Sequence, residues 1–286
     1  MSETNYYKVA GHVFGVTAEA SDFGLMRNYE PFVCEADAPV FVLTISSGDA
    51  VRYAEEFRQE EEGQEILCGR TDDGRSVFEF RWWQKTAGWL VCSNDYHDGR
   101  LIVTGAMRKS AIDNALMLLF ATATADRGTV LFHAAAVSHN GYGYMFLGKS
   151  GTGKSTHARL WMQYTRGTEL MNDDNPVVRI EDEGCAFVYG SPWSGKTPCY
   201  RQVKCPLGGI VQLSQAPHNR IEPLNGLVAY ATLVSSISGM RWSEKIADGL
   251  HQTENMLVQT VPMWHLECLP DEAAAALCHE TIATNR

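Results

Sequence analysis

Several features are missing from this 286-residue chain, and each omission excludes a class of protein. The eight cysteines (Cys34, Cys68, Cys92, Cys185, Cys199, Cys205, Cys268 and Cys278) never form C-x-x-C. A disulfide framework and a zinc site are thereby excluded, and buried free thiols in a reducing compartment are expected. His139, His157, His251 and His279 are scattered without metal-ligand spacing. No cluster of Lys and Arg is present, and the formal net charge is −10. A general nucleic-acid binder needs a basic face, and an anionic membrane surface repels an acidic one. Neither nucleic acid nor membrane is therefore expected as a partner. No apolar run approaches the length of a membrane span. The opening Met1-Ser2-Glu3-Thr4-Asn5 lacks the basic and apolar parts of a signal peptide. These omissions give a cytoplasmic reading. Internal repeats and low-complexity stretches are also missing.

What remains is the composition of a globular protein, with 45% hydrophobic and 20% charged residues. The length fits one large or two modest domains. Residues 1–108 read as a β-rich domain. Strands are expected over 9–16, with a glycine kink, and over 39–45. Asp72-Asp73-Gly74 and the polar stretch 94–99 each join two strands as hairpins, so the sheet is expected to be mainly antiparallel. The acidic run 55–62 reads as solvated surface. Trp82 and Trp83 read as packing residues on a strand.

Residues 109–286 read as the second domain. A helix over 110–121, with Ser110 as N-cap and Asp113 in its capping box, is taken as the joint. A strand over 129–137 follows, turned back at Asn140-Gly141. Strands are expected over 176–180 and 185–189 around Asp182-Glu183-Gly184, then over 207–213 and 262–268. Helices are expected over 224–234, 242–257 and 271–281, the last favoured at its start by Asp271 and Glu272.

Gly148-Lys149-Ser150-Gly151-Thr152-Gly153-Lys154-Ser155 fits the phosphate-loop pattern G-x-x-x-x-G-K-[ST] at every fixed position. Its glycines let backbone N–H groups curl inward as a nest for phosphate oxygens. Lys154 would set a cation on the β and γ phosphates, and Ser155 a hydroxyl on Mg²⁺. An apolar strand over 143–147 precedes the loop, and a helix from Lys154 to Met162 follows it. That helix adds the positive end of its dipole. The nucleotide-binding set is therefore Gly148, Lys149, Ser150, Gly151, Thr152, Gly153, Lys154, Ser155 and Thr156. Such loops need a carboxylate for the metal. The strand over 207–213 ends in Ser214-Gln215, without an acid, whereas 169–172 ends in Asp173-Asp174.

His133, the loop and Asp173-Asp174, in that order and rough spacing, resemble the HPr serine kinase/phosphorylase family over about residues 128–215. That family in turn resembles the nucleotide fold of phosphoenolpyruvate carboxykinase. The resemblance implies an α/β (α+β overall) chain, with a P-loop domain behind the β-rich one. It also implies an ATP- and Mg²⁺-dependent kinase that phosphorylates a hydroxyl of a protein, peptide or small molecule. Asp174 would be the general base, Asp173 would hold the metal with Ser155, and His133 would lie near the γ-phosphate. Homo-oligomers are usual in that family. The family's acidic, glycine-rich signature is replaced here by Gly190-Ser191-Pro192-Trp193-Ser194-Gly195-Lys196. There Lys196 is a candidate second phosphate contact. Arg201, Lys204 and Arg220 are loose candidates for the family's basic loop. The missing acid supports an alternative, an ATP-binding sensor or peptide-binding module without turnover. A plain ATP hydrolase is the weaker third reading.

Overall fold

A computed structural model describes residues 2–284 except 62, 106, 182, 183 and 242. The chain is mixed α/β and divides into two compact units, Met1–Thr124 and Ala125–Arg286.

The first unit opens with strands β1 (Glu3–Val9) and β2 (His12–Ala18). The sequence reading had one strand with a glycine kink. Instead Ala10 (φ 47°) and Gly11 (φ 80°) make a two-residue turn, and Val9 pairs with His12. Positive φ at both central residues matches the twist of a hairpin. The short helix α1 (Ala20–Phe23) and a 3₁₀ turn (Arg27–Phe32) form a crossover to β3 (Val33–Cys34) and β4 (Val42–Ser47). A meander follows: β5 (Ala54–Glu61), β6 (Gln64–Arg70), β7 (Ser76–Trp82), β8 (Lys85–Cys92) and β9 (Asp98–Val103). Both expected hairpins are present, with Arg70 opposite Ser76 and Cys92 opposite Gly99. The nine-stranded order is β3-β1-β2-β4-β9-β8-β7-β6-β5. The sheet is mixed, because β2–β4 and β4–β9 run parallel. A crossover, unlike a hairpin, delivers the next strand in the same direction. Residues 55–60 of the acidic run lie exposed on the edge strand β5, and Trp83 beyond β7 is exposed.

Helix α2 (Arg108–Ala123) packs on this sheet, with Leu119 filling the space a side chain at Gly99 would need. It starts before Ser110, from an N-cap at Met107 (φ 65°). Asp113 does not complete a capping box; it binds Lys109 Nζ at 2.5 Å and Asn28 at 3.1 Å. Arg108 pairs with the fully buried Asp22. The helix lies within the first unit, Met1–Thr124.

The second unit contains β10 (Thr129–Phe132), β11 (Ala134–His139), β12 (Tyr142–Leu147), α3 (Lys154–Tyr164), β13 (Glu169–Asn172), β14 (Val177–Ile180) and β15 (Ala186–Tyr189). It continues with β16 (Lys204–Gln215), β17 (Arg220–Leu224), α4 (Gly226–Val234), β18 (Ile237–Ser238), α5 (Glu244–Thr260), β19 (Met263–Cys268) and α6 (Glu272–Ile282). Two readings fall partly outside the described residues, the turn at Asp182-Glu183 and a helix start at Trp242. Strand β17 precedes the helix that had been read from residue 224. Asp271 caps α6, accepting the Ala274 N–H at 2.8 Å.

One mixed sheet runs β13-β11-β12-β16-β15-β14-β10-β18, with β19 on β16 and β17 on β19. Its halves share β16, which pairs antiparallel with β15 at its start and parallel with β12 and β19 further on. The segment 129–137 is not one strand. It breaks at His133, so β10 pairs with β14 and β18 while β11 pairs with β12 and β13. Helices α3 and α6 cover one face, around Tyr144, Phe146, Trp161, Val211, Leu213, Leu266 and Cys278. Burying each such side chain contributes about 1.5–3 kcal/mol. Val188 approaches the other face, where only a glycine fits at 143.

All eight cysteines are free. Cys68, Cys92, Cys199 and Cys278 are buried, and burial pushes the Cys68 thiol up to about 12. Cys185 is exposed, contrary to expectation. Among the described residues, no helix is long and apolar enough to cross a membrane.

His157 on α3 is 2% exposed, and neither ring nitrogen has a hydrogen-bond partner among the described residues. Its ring meets Phe146 edge-on at 4.7 Å. Burial lowers its pKa from 6.5 to about 4. Between those values the unfolded chain takes the proton and the folded chain does not, so stability falls as pH drops through that window. At 1.36 kcal/mol per unit the loss is about 3 kcal/mol. His157→Phe should lose less stability than wild type between pH 7 and pH 4, by about that amount in denaturant titrations.

Candidate functional site

Gly151 (φ 78°) and Gly153 (φ 109°) hold left-handed backbone with open space where a Cβ would stand. They let the chain turn from the end of β12 into α3. The Thr152 N–H donates to Lys149 O at 3.1 Å, closing the turn. The His157 N–H donates to Gly153 O at 2.8 Å, starting the helix. Lys154 is the first residue of α3 and is buried. Its ammonium folds back into the loop, donating to Gly148 O at 2.9 Å and facing Lys149 O at 3.5 Å.

The same ammonium lies 3.1 Å from His133 Nε2. The His133 Nε2 also lies 3.4 Å from Asp174 Oδ1. Cation, imidazole and carboxylate thus meet at the mouth of the loop. His133 reaches this point because it is the joint between β10 and β11. Its own N–H is taken by Ser236 O at 2.8 Å, and the Ala134 N–H by Asp174 O at 2.9 Å. Burial raises the Asp174 carboxyl above the usual aspartate value. The positive fields of His133 and Lys154 oppose that rise, and Asp173 adds to it.

Asn172 has a role that the sequence reading missed. Its side chain is fully buried, and its Oδ1 accepts the N–H groups of Asp174 (2.9 Å) and Asn175 (2.7 Å). Its Nδ2 donates to Ser191 Oγ (3.0 Å) and Trp193 O (3.1 Å). Ser191 Oγ in turn donates to Asn175 O at 2.6 Å. This Asx-type turn makes the two aspartates diverge after β13. The only sequence signal is the Asn-Asp-Asp-Asn run itself.

The loop, His133, Lys154 and Asp174 therefore come together. Asp173 is buried, and its Oδ2 accepts the Thr197 N–H at 3.1 Å. Lys196 is exposed, and its neighbours Gly195 and Thr197 approach the aspartates. Ser155 and Thr156 sit half-buried in the first turn of α3. The three loose basic candidates have local partners. Arg201 binds Glu169 and Leu170 O, Lys204 binds Glu181, and Arg220 pairs with Glu222. Strand β13 is not beside the loop strand; β11 lies between them. Among the described residues, no three His, Cys, Asp or Glu side chains gather as a metal centre. A Mg²⁺ here would draw most of its ligands from phosphate and water, which is its usual habit. The glycine turn, the buried ammonium and the carboxylate of Asp174 near it fit a metal–nucleotide.

No protein-family model matches the chain, and no curated protein matches it.

Proposed function

We propose that the chain is an ATP- and Mg²⁺-dependent kinase of the HPr-serine-kinase kind, acting on a hydroxyl of a protein, peptide or small molecule, with serine the favoured acceptor. The convergence of Lys154, His133 and Asp174 at the loop mouth, at 3.1 and 3.4 Å, carries this reading. Bound Mg–ATP would supply the γ-phosphoryl group and neutralise charge as it moves. The loop N–H groups and Lys154 would bind and orient the phosphates. Ser155 and Asp173 would hold the metal, with Lys196 as a second phosphate contact. Asp174 would take the proton from the acceptor hydroxyl, its Oδ1 already facing the loop mouth. A carboxyl raised by burial is a stronger base than a solvated one. His133, on losing Lys154 to phosphate, would keep its Nε2 beside that oxygen. Assembly into homo-oligomers and a cytoplasmic location belong to the same reading.

The test is calorimetry of Mg–ATP binding, followed by transfer from γ-labelled ATP to serine-containing acceptors. Lys154→Ala should weaken ATP about 100-fold or more, because it removes a buried charge-assisted contact. Wild-type protein with no affinity for Mg–ATP would sink the proposal. Tight binding without transfer to any acceptor would favour a nucleotide sensor.

A further inference from the structure

Resting on that reading, we infer that the Ser214–His265 pair receives the nucleoside, by its ribose hydroxyls. Lys154, His133 and Asp174 mark the γ end of the phosphate path. They stand on the β11 and β13 flank of the loop strand β12. A triphosphate laid on the loop with its γ end there must leave on the other flank, over β16 and β19. Both of these strands run parallel to β12, and ligands of parallel sheets lie beyond the carboxyl ends of the strands.

Strand β16 overshoots the loop strand. Leu147, the last residue of β12, pairs with Gln212, which leaves Leu213, Ser214 and Gln215 alongside the loop. Gln215 confirms that level, since its Nε2 donates to Gly151 O at 3.2 Å. Val211, Leu213 and Leu266 face the core under α3 and α6. By alternation Gln212, Ser214 and His265 share the opposite face, with Gln212 and His265 directly paired. Strands lie about 4.8 Å apart, so His265 is about 10 Å across the sheet from the loop strand. An α-phosphate and ribose span that gap.

The pair is half-buried, with Ser214 Oγ 2.8 Å from His265 Nε2. A serine hydroxyl has one donor and two acceptor sites, so this bond leaves capacity for a sugar hydroxyl. The next outward position on β19 is Glu267, whose Oε2 lies 3.4 Å from His218 Nε2. A carboxylate repels phosphate but accepts well from a ribose diol. The charge pattern therefore runs from cationic at Lys154 to acidic at Glu267, matching phosphates first and sugar after.

The experiment compares Mg–ATP with Mg–tripolyphosphate, which has the phosphates and no nucleoside. Wild-type protein should bind ATP more tightly. Ser214→Ala and His265→Ala should each weaken ATP about five- to tenfold, the value of one hydrogen bond, and leave tripolyphosphate unchanged. Gln215→Ala, which touches the loop itself, should weaken both. Should the variants unfold, the wild type still decides. His265 ring NMR signals, assigned with His265→Gln, should shift with ATP and not with tripolyphosphate. Equal wild-type affinity for the two ligands, or folded variants that bind ATP normally, overturns the nucleoside subsite and spares the phosphate loop. No binding of either ligand overturns the loop reading as well.

Discussion

Asp174→Asn should lower phosphoryl transfer about 10²–10⁴-fold, the range for losing a positioned general base. Mg–ATP affinity should change little, because the substitution keeps the shape of the side chain and the loop is untouched. The amide can still hold the Asn175 contact, now 2.9 Å from Asp174 Oδ2, but it cannot take a proton. The same variant should be more stable than wild type near neutral pH. The Asp174 carboxyl is raised on folding, chiefly by burial. A carboxyl raised in this way favours the folded state below its unfolded pKa, and loses that contribution as pH rises through the folded value. At pH 7 the ionised side chain therefore costs stability, and an amide relieves the cost. Thermal melts of the two proteins should diverge at pH 7 and converge below the ordinary aspartate range. Coincident melts at pH 7 would show that the site stores no such cost. Transfer at the wild-type rate would remove Asp174 from the chemistry.

Asn172→Ala should be the most damaging single change to the second unit outside its apolar core. It strands the N–H groups of Asp174 and Asn175 and removes two donated bonds to Ser191 and Trp193. Each buried polar group left unpaired costs about 1–3 kcal/mol, so the loss is about 3–5 kcal/mol. For a unit of this size that lowers the melting temperature by about 10 °C. Catalysis should fall as well, since the turn that aims Asp174 at His133 is lost. Asn172→Asp is the instructive partner. It keeps both accepted N–H bonds but sets a carboxylate oxygen against Trp193 O, so it should fall between alanine and wild type in melting temperature. An alanine variant that melts with the wild type would show that the turn is held by other contacts.

The parts of this structure that could be read from sequence are those with local causes. Hairpins at Asp72–Gly74 and after Cys92 are written in their turn residues. Asp271 announces the last helix. Glycines 151 and 153 take the left-handed backbone that a tight turn between strand and helix needs. The break at His133 could not be read, because the run 129–137 is apolar and continuous; what interrupts it is a backbone bond to Ser236, about a hundred residues away in sequence. Parallel pairing of β4 with β2 and β9 was hidden for the same reason, since turn chemistry speaks only for sequence neighbours. Asn172 looked like the end of a strand, and its work depends on Ser191 and Trp193 in a later loop. Met107 displaced Ser110 as the cap because Asp22 and Asn28 claim the first turn of the helix from outside it.

Strand β5 closes one side of the nine-stranded sheet with a row of unpaired backbone groups, which would template aggregation if another copy could add to it. Glu55, Glu56 and Glu60 make that addition self-defeating. Two copies brought edge to edge would crowd like charges, and the partial pairings of Glu55 with Arg58 and Glu56 with Arg70 leave Glu60 unbalanced. The acidic run thus serves as a colloidal guard. Its reach is set by ionic strength, about 8 Å at physiological salt and shorter in concentrated brine.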